Sequence, residues 1–144
     1  MKRSWKLLWS LVAVASLLGV SLAWAQGARM EAYQSALQSK MNSMMTGGAK
    51  CKVNLNDSQS GKGQDVELRI TMPMNAFMEF APVAALEAAS IPHKFPVVYI
   101  FVREETADRL GRIAFADAEP VAGKYTAGDK KVAIEEMKNK IRWH

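Results

Sequence analysis

A single cysteine, Cys51, leaves this chain without an internal disulfide, so its fold must stand on packing alone. Histidine is nearly as scarce. His93 and His144 lie far apart, and neither has a ligand-spaced partner, which argues against a zinc site. Both read as surface histidines. No G-x-S-x-G and no S-x-x-K occurs, so no serine-nucleophile signature is present. Gly61-Lys62-Gly63 lacks the spacing and the following helix of a phosphate loop. There is no internal repeat and no low-complexity tract. Like charges never run beyond two in a row, which argues against a nucleic-acid partner.

The strongest positive signal is N-terminal. Met1 to Lys6 is a short basic head, and Leu7 to Ala23 carries no charge. Ala23-Trp24-Ala25 then offers small residues on either side of a bulky one. Together these predict a secretory signal peptide over 1–25, cleaved after Ala25, and an exported protein, periplasmic or secreted. The alternative is an uncleaved inner-membrane anchor over 7–24, which is close to spanning length. A lipoprotein is not indicated, because Cys51 is far from the apolar segment. Lys2, Arg3 and Lys6 leave with the signal. That lowers nineteen basic residues to sixteen against fourteen acidic, a formal +2. The remaining 26–144 is long enough for one small domain and not for two.

Periodicity supplies the elements. Met30, Tyr33, Leu37, Met41 and Met44 recur at helical steps and predict a helix over Arg29–Thr46, after a short leader at 26–28. Gln34, Gln38 and Asn42 fall off its apolar stripe, and Gly47-Gly48 ends it. From Lys50 to Asn56 the chain alternates, with Cys51, Val53 and Leu55 inward. Cys51 therefore reads as a small buried hydrophobe and not as a reactive thiol. Asp57–Gly63 is a turn by composition. Gln64–Met72 alternates again, with Val66, Leu68 and Ile70 inward and Asp65, Glu67 and Arg69 outward, completing a hairpin.

Met74 to Ser90 is alanine-rich and apolar, and predicts a mostly buried helix that kinks or restarts at Pro82. Phe95 to Val102 is the longest apolar run outside the N-terminus. Both of its alternate sets, Val97/Tyr99/Phe101 and Val98/Ile100/Val102, are apolar, so a central strand covered on both faces is expected. Arg103–Arg109 is a charged loop. Leu110–Asp117 reads as a strand with Ile113 and Phe115 inward, and 119–128 as an irregular loop. Asp129 can cap a last helix with Ile134, Met137 and Ile141 buried, a strand at 132–137 being the alternative. Glu136 and Lys140 are spaced as a helical ion pair. The resulting expectation is an α+β fold: an antiparallel sheet of about four strands, helices mainly on one face, in the order α-β-β-α-β-β-α.

Chemistry is thinly marked. Glu104, Glu105 and Asp108 could face a hard cation, but they lack the order of a calcium loop and read as solvated. The soft thioethers Met41, Met44 and Met45, with Met72, Met74 and Met78, are the only metal candidates, and they would suit Cu(I). Against this, Met41, Met44 and Met72 lie on apolar faces, where methionine fills gaps. No cofactor and no catalytic set is indicated. The expected function is a non-catalytic binding or envelope-assembly role. It would engage another protein, or a second copy, through the apolar 74–102 region. A Met-based copper-handling protein and a small exported enzyme without a recognisable motif are the alternatives.

Overall fold

Residues 24–144 are described by the structure, a computed structural model. Most of the expected signal segment lies outside these residues. The described part forms four helices and one five-stranded mixed sheet, so the fold is α+β. Among the described helices none is long and apolar enough to cross a membrane.

Helix α1 covers residues 24–44. The expected leader at 26–28 is helical and continuous with it. Tyr33, Leu37 and Met41 are buried, as the stripe requires. Gly47 and Gly48 both take positive φ and turn the chain into β1, Lys50–Asp57. This strand pairs antiparallel with β2, Gln64–Thr71, in register from Lys50↔Thr71 to Asp57↔Gln64. In the turn between them Gly63 adopts φ +149°, and a Cβ there would lie 2.6 Å from the Pro96 carbonyl oxygen, so only glycine fits.

α2, Met74–Ser90, is one helix through Pro82. Its 17 residues span about 26 Å, close to the length of an eight-residue strand. It therefore carries the chain back along the sheet to its starting end. β3, Val97–Glu104, consequently runs parallel to β2. The expected purely antiparallel sheet is thus corrected. A single helix between strands is a crossover, and a crossover yields a parallel pair. β3 occupies the middle of the strand order β1-β2-β3-β4-β5.

β4, Arg109–Ala114, pairs antiparallel with β3. The strand expected to reach Asp117 stops at Ala114, and Phe115 begins α3, Phe115–Thr126. Phe115 is buried all the same, as a helix residue. The expected irregular loop at 119–128 is mostly this helix. Pro120 stands inside this helix. It deprives only the carbonyl of Ala116, which is exposed and open to water. α4, Lys130–Lys140, follows with Ala133 and Met137 buried; the strand alternative does not occur. Asp129 stands at its N-cap but makes no side-chain cap hydrogen bond. The last strand, β5, Arg142–Trp143, pairs antiparallel with β4 and was not anticipated.

The helices share one face of the sheet. Val66, Leu68, Ile70, Ile100, Val102 and Ile113 are buried there against Phe77, Ala81, Ala84, Ala85, Ala118 and Val121. α2 is thereby mostly buried from Ala81 to Ala89, its first turns staying exposed, and the Tyr125 hydroxyl donates to Glu87 at 2.7 Å, tying α3 to α2. His93 is not a surface histidine. It is half-buried in an aromatic cluster, 4.8 Å from the Phe115 ring and 5.7 Å from the Phe95 ring, edge to face in both cases.

Candidate functional site

The second face of the sheet is covered by no described element. The segment expected as an irregular loop at 119–128 packs, as most of α3, on the helical side. The outward set of β3 expected to be covered, Val97, Tyr99 and Phe101, is instead only half-buried, and Arg103, expected in a loop, continues it on the strand. Strand register places their neighbours. Phe101 lies between Glu67 on β2 and Arg112 on β4, and Arg103 lies between Arg69 and Leu110. Side chains in register across a sheet share a face.

Tyr99 and Phe101 are a tilted ring pair, 5.9 Å between centroids. The Arg112 guanidinium sits over Tyr99 at 5.1 Å. Asp65 accepts a hydrogen bond from the Tyr99 amide at 3.2 Å. Next to this pair a shallow cleft of about 430 Å³ runs past Asn56, Glu67, Phe101, Arg103 and Leu110. Charges on the face are unequal. Asp65, Glu67, Glu105 and Asp108 stand against Lys50, Lys52, Arg69, Arg103, Arg112 and Arg142. Arg69 is paired with Glu105 at 2.6 Å, and Arg103 with Asp108. Lys52, Arg112 and Arg142 have no carboxylate partner among the described residues.

The carboxylates of the 103–109 segment do not converge. Glu105 and Asp108 are spent on those arginines. Glu104 is not solvated at all: it is 1 % exposed and points to the helical side. Its oxygens accept from the Ala107 amide at 2.6 Å and the Thr106 hydroxyl at 2.7 Å. The Ala107 amide first, then the Thr106 hydroxyl, hold its pKa below the usual carboxylate value. Glu104 therefore locks the β3–β4 turn. No group of three or more His, Cys, Asp or Glu placed to hold a metal ion occurs among the described residues.

The thioethers are dispersed in environment. Met41 is wholly buried in the core; Met44, Met45, Met72 and Met78 pack half-buried against it; Met74 is exposed. Because Lys50 pairs with Thr71, both methionine groups flank the same end of the β1–β2 ladder. Cys51 is buried, and burial pushes its thiol up to about 12, the value of an unreactive group.

Sequence reasoning missed two features. Gln34 and Gln38, set aside as off-stripe, bind the free edge of β1. Gln38 accepts from the Val53 amide at 2.8 Å and donates to the Cys51 carbonyl at 2.8 Å; Gln34 donates to the Val53 carbonyl at 2.9 Å. They blunt an edge strand that would otherwise present unpaired backbone. The second is the cationic end of the open face, visible only once β5 brings Arg142 beside Arg112. Comparison with protein-family models, with curated proteins and with solved structures returned no match.

Proposed function

We propose that the chain is an exported, non-catalytic binding module that docks an acidic protein partner on its open sheet face. One observation carries this reading: the half-exposed aromatic pair Tyr99 and Phe101 stands on the central strand with no element over it. Aromatic anchors ringed by arginine are the composition of interaction surfaces. The helical half of the apolar 74–102 region offers less, because α2 is mostly buried from Ala81 to Ala89 and is open only in its first turns, at Met74, Asn75, Ala76 and Glu79. The charge balance selects the partner. A second copy docked face to face would set a face of surplus positive charge against itself, which disfavours that pairing. An acidic surface is complementary instead.

Export rests on the basic head, the apolar stretch and Ala23-Trp24-Ala25. Of the described residues, Trp24 and Ala25 are exposed and the first buried one is Tyr33, so cleavage after Ala25 takes no described core residue. N-terminal sequencing of the exported protein checks this part; a start at Met1 overturns it. For the docking face, a photo-crosslinking residue is placed at Phe101 and, as a control, at Glu119, exposed on α3. The expected result is a discrete adduct from position 101 alone. It should contain a protein of acidic surface and vanish when Arg103 and Arg112 become Glu. A self-adduct, or equal labelling from both positions, overturns the reading.

A further inference from the structure

Arg112 and Arg142 are directly opposed residues of β4 and β5. Like charges at opposed positions destabilise a strand pair, and β5 has only two residues with which to offset the cost. No carboxylate among the described residues neutralises either of them. A third cation, Lys140, enters the same cleft from the end of α4. It is loosely held: the Glu136 carboxylate binds Lys124 at 2.8 Å and stands 3.9 Å from Lys140. The cleft is completed by Tyr99, Ile113, Ala114 and Asp117. Asp117 is the one carboxylate against three cations. Ala114 immediately precedes α3, so the positive end of that helix dipole adds to them.

We propose that this cleft binds a phosphate group. Its volume is about 230 Å³, below the range of about 300–1,000 Å³ usual for larger organic ligands, which fits a small anionic group. Two guanidinium forks and an ammonium offer more donors than one carboxylate can accept, and they match a tetrahedral oxyanion. Among the lining residues three cations less one carboxylate leave a surplus of two charges, which Glu136 beside Lys140 offsets in part; a phosphate monoester carries about −1.5 to −2 at neutral pH. Where a local rule is broken without internal compensation, a ligand is the natural compensation. The cleft adjoins the docking face and shares Tyr99, Arg112 and Arg142 with it, while Ile113, Asp117 and Lys140 belong to the cleft alone; phosphate titrated into the isolated protein reads the cleft with no docking partner present.

The test titrates inorganic phosphate into the purified, isotope-labelled protein and follows backbone amides, with chloride at matched ionic strength as control. Saturable shifts confined to residues 112–117 and 140–143 are expected. Arg142→Gln, at an exposed position, should weaken phosphate binding at least tenfold. In phosphate-free buffer the same variant should melt no lower than the parent, because it removes a repulsion. A parallel arm uses phosphatidylglycerol vesicles. Vesicle binding that free phosphate displaces and Arg142→Gln abolishes assigns the group to a lipid headgroup; saturable free phosphate without vesicle binding assigns it to a small solute. Shifts that chloride reproduces, or that survive Arg142→Gln unchanged, overturn the proposal.

Discussion

The two faces of β3 read almost alike in the sequence and behave differently in the fold. Val98, Ile100 and Val102 look toward the helices, and Ile100 and Val102 are wholly buried. Val97, Tyr99 and Phe101 look the other way and are half-exposed. The difference comes from the flanking strands. On the helical side β3 meets Val66, Leu68 and Ile113; on the open side it meets Glu67, Arg69 and Arg112. A strand with two apolar faces is therefore weak evidence for two covered faces. The strands beside it hold the answer, and here they describe a sheet with one dry side and one aromatic patch on its wet side.

The largest expected effect breaks that comparison directly. Leu68→Ala opens a cavity in the dry face and should cost about 2–5 kcal/mol. Phe101→Ala, on the open face, should cost about 1 kcal/mol or less, the worth of one cross-strand neighbourhood. Urea denaturation of both variants gives the ratio. Equal losses would mean that the open face is core in solution, covered by a second copy. The next effect tests the dry face at its edge. A Cβ at Gly111 would lie 2.8 Å from Ile141 Cγ2 and 2.9 Å from the Trp143 ring, both stiff groups. Gly111→Ala should therefore cost about 1–3 kcal/mol by overpacking. Trp143 is the only tryptophan beyond Trp24, so in a protein made from Gln26 onward its fluorescence reports whether β5 is displaced. An unchanged spectrum with unchanged stability would show that this corner is loosely packed.

Much of this architecture was legible because it is local. The α1 stripe, the glycine pair at 47–48, the alternation of β1 and β2, and the central position of β3 all follow from spacing along the chain. What was not legible depends on non-local geometry. The parallel β2–β3 pair follows from the length of α2, not from any residue pattern in the strands. α3 was obscured by Pro120 and Gly123, which are tolerated because that side of the helix is solvated. β5 is too short for periodicity to register. Of the candidate surface, Tyr99 and Phe101 stand within the longest apolar run outside the N-terminus, whereas Arg112 and Arg142 become neighbours only through sheet register.

A smaller effect separates the two edges of the sheet. Gln38→Ala removes both bonds to β1 and leaves the Val53 amide without a protein partner. A loss of about 1–2 kcal/mol is expected, with faster hydrogen exchange at Val53. Gln34→Ala, which forfeits one bond to a carbonyl, should cost less. If the order reverses, α1 is held to the sheet by its apolar stripe alone.

The last test concerns Glu104, the one buried charged residue among those described, set on the dry face at its margin. Its pKa is lowered in the fold, chiefly by the Ala107 amide and then the Thr106 hydroxyl; the amides of Thr106 and Met72 add to the effect. A depressed carboxylate contributes stability that is complete above its unfolded value of about 4.3 and is lost as pH falls through the lower folded value. Acidification should therefore loosen the β3–β4 turn only below the ordinary carboxylate range. Glu104→Gln keeps the shape but cannot titrate. Its stability should start lower at neutral pH and fall less steeply on acidification, converging on the parent in acid. Parallel acid limbs for the two proteins would mean that the carboxylate is protonated at the same pH in both states. The turn would then owe its shape to backbone pairing, such as the bond from the Glu105 amide to the Ile70 carbonyl at 2.9 Å.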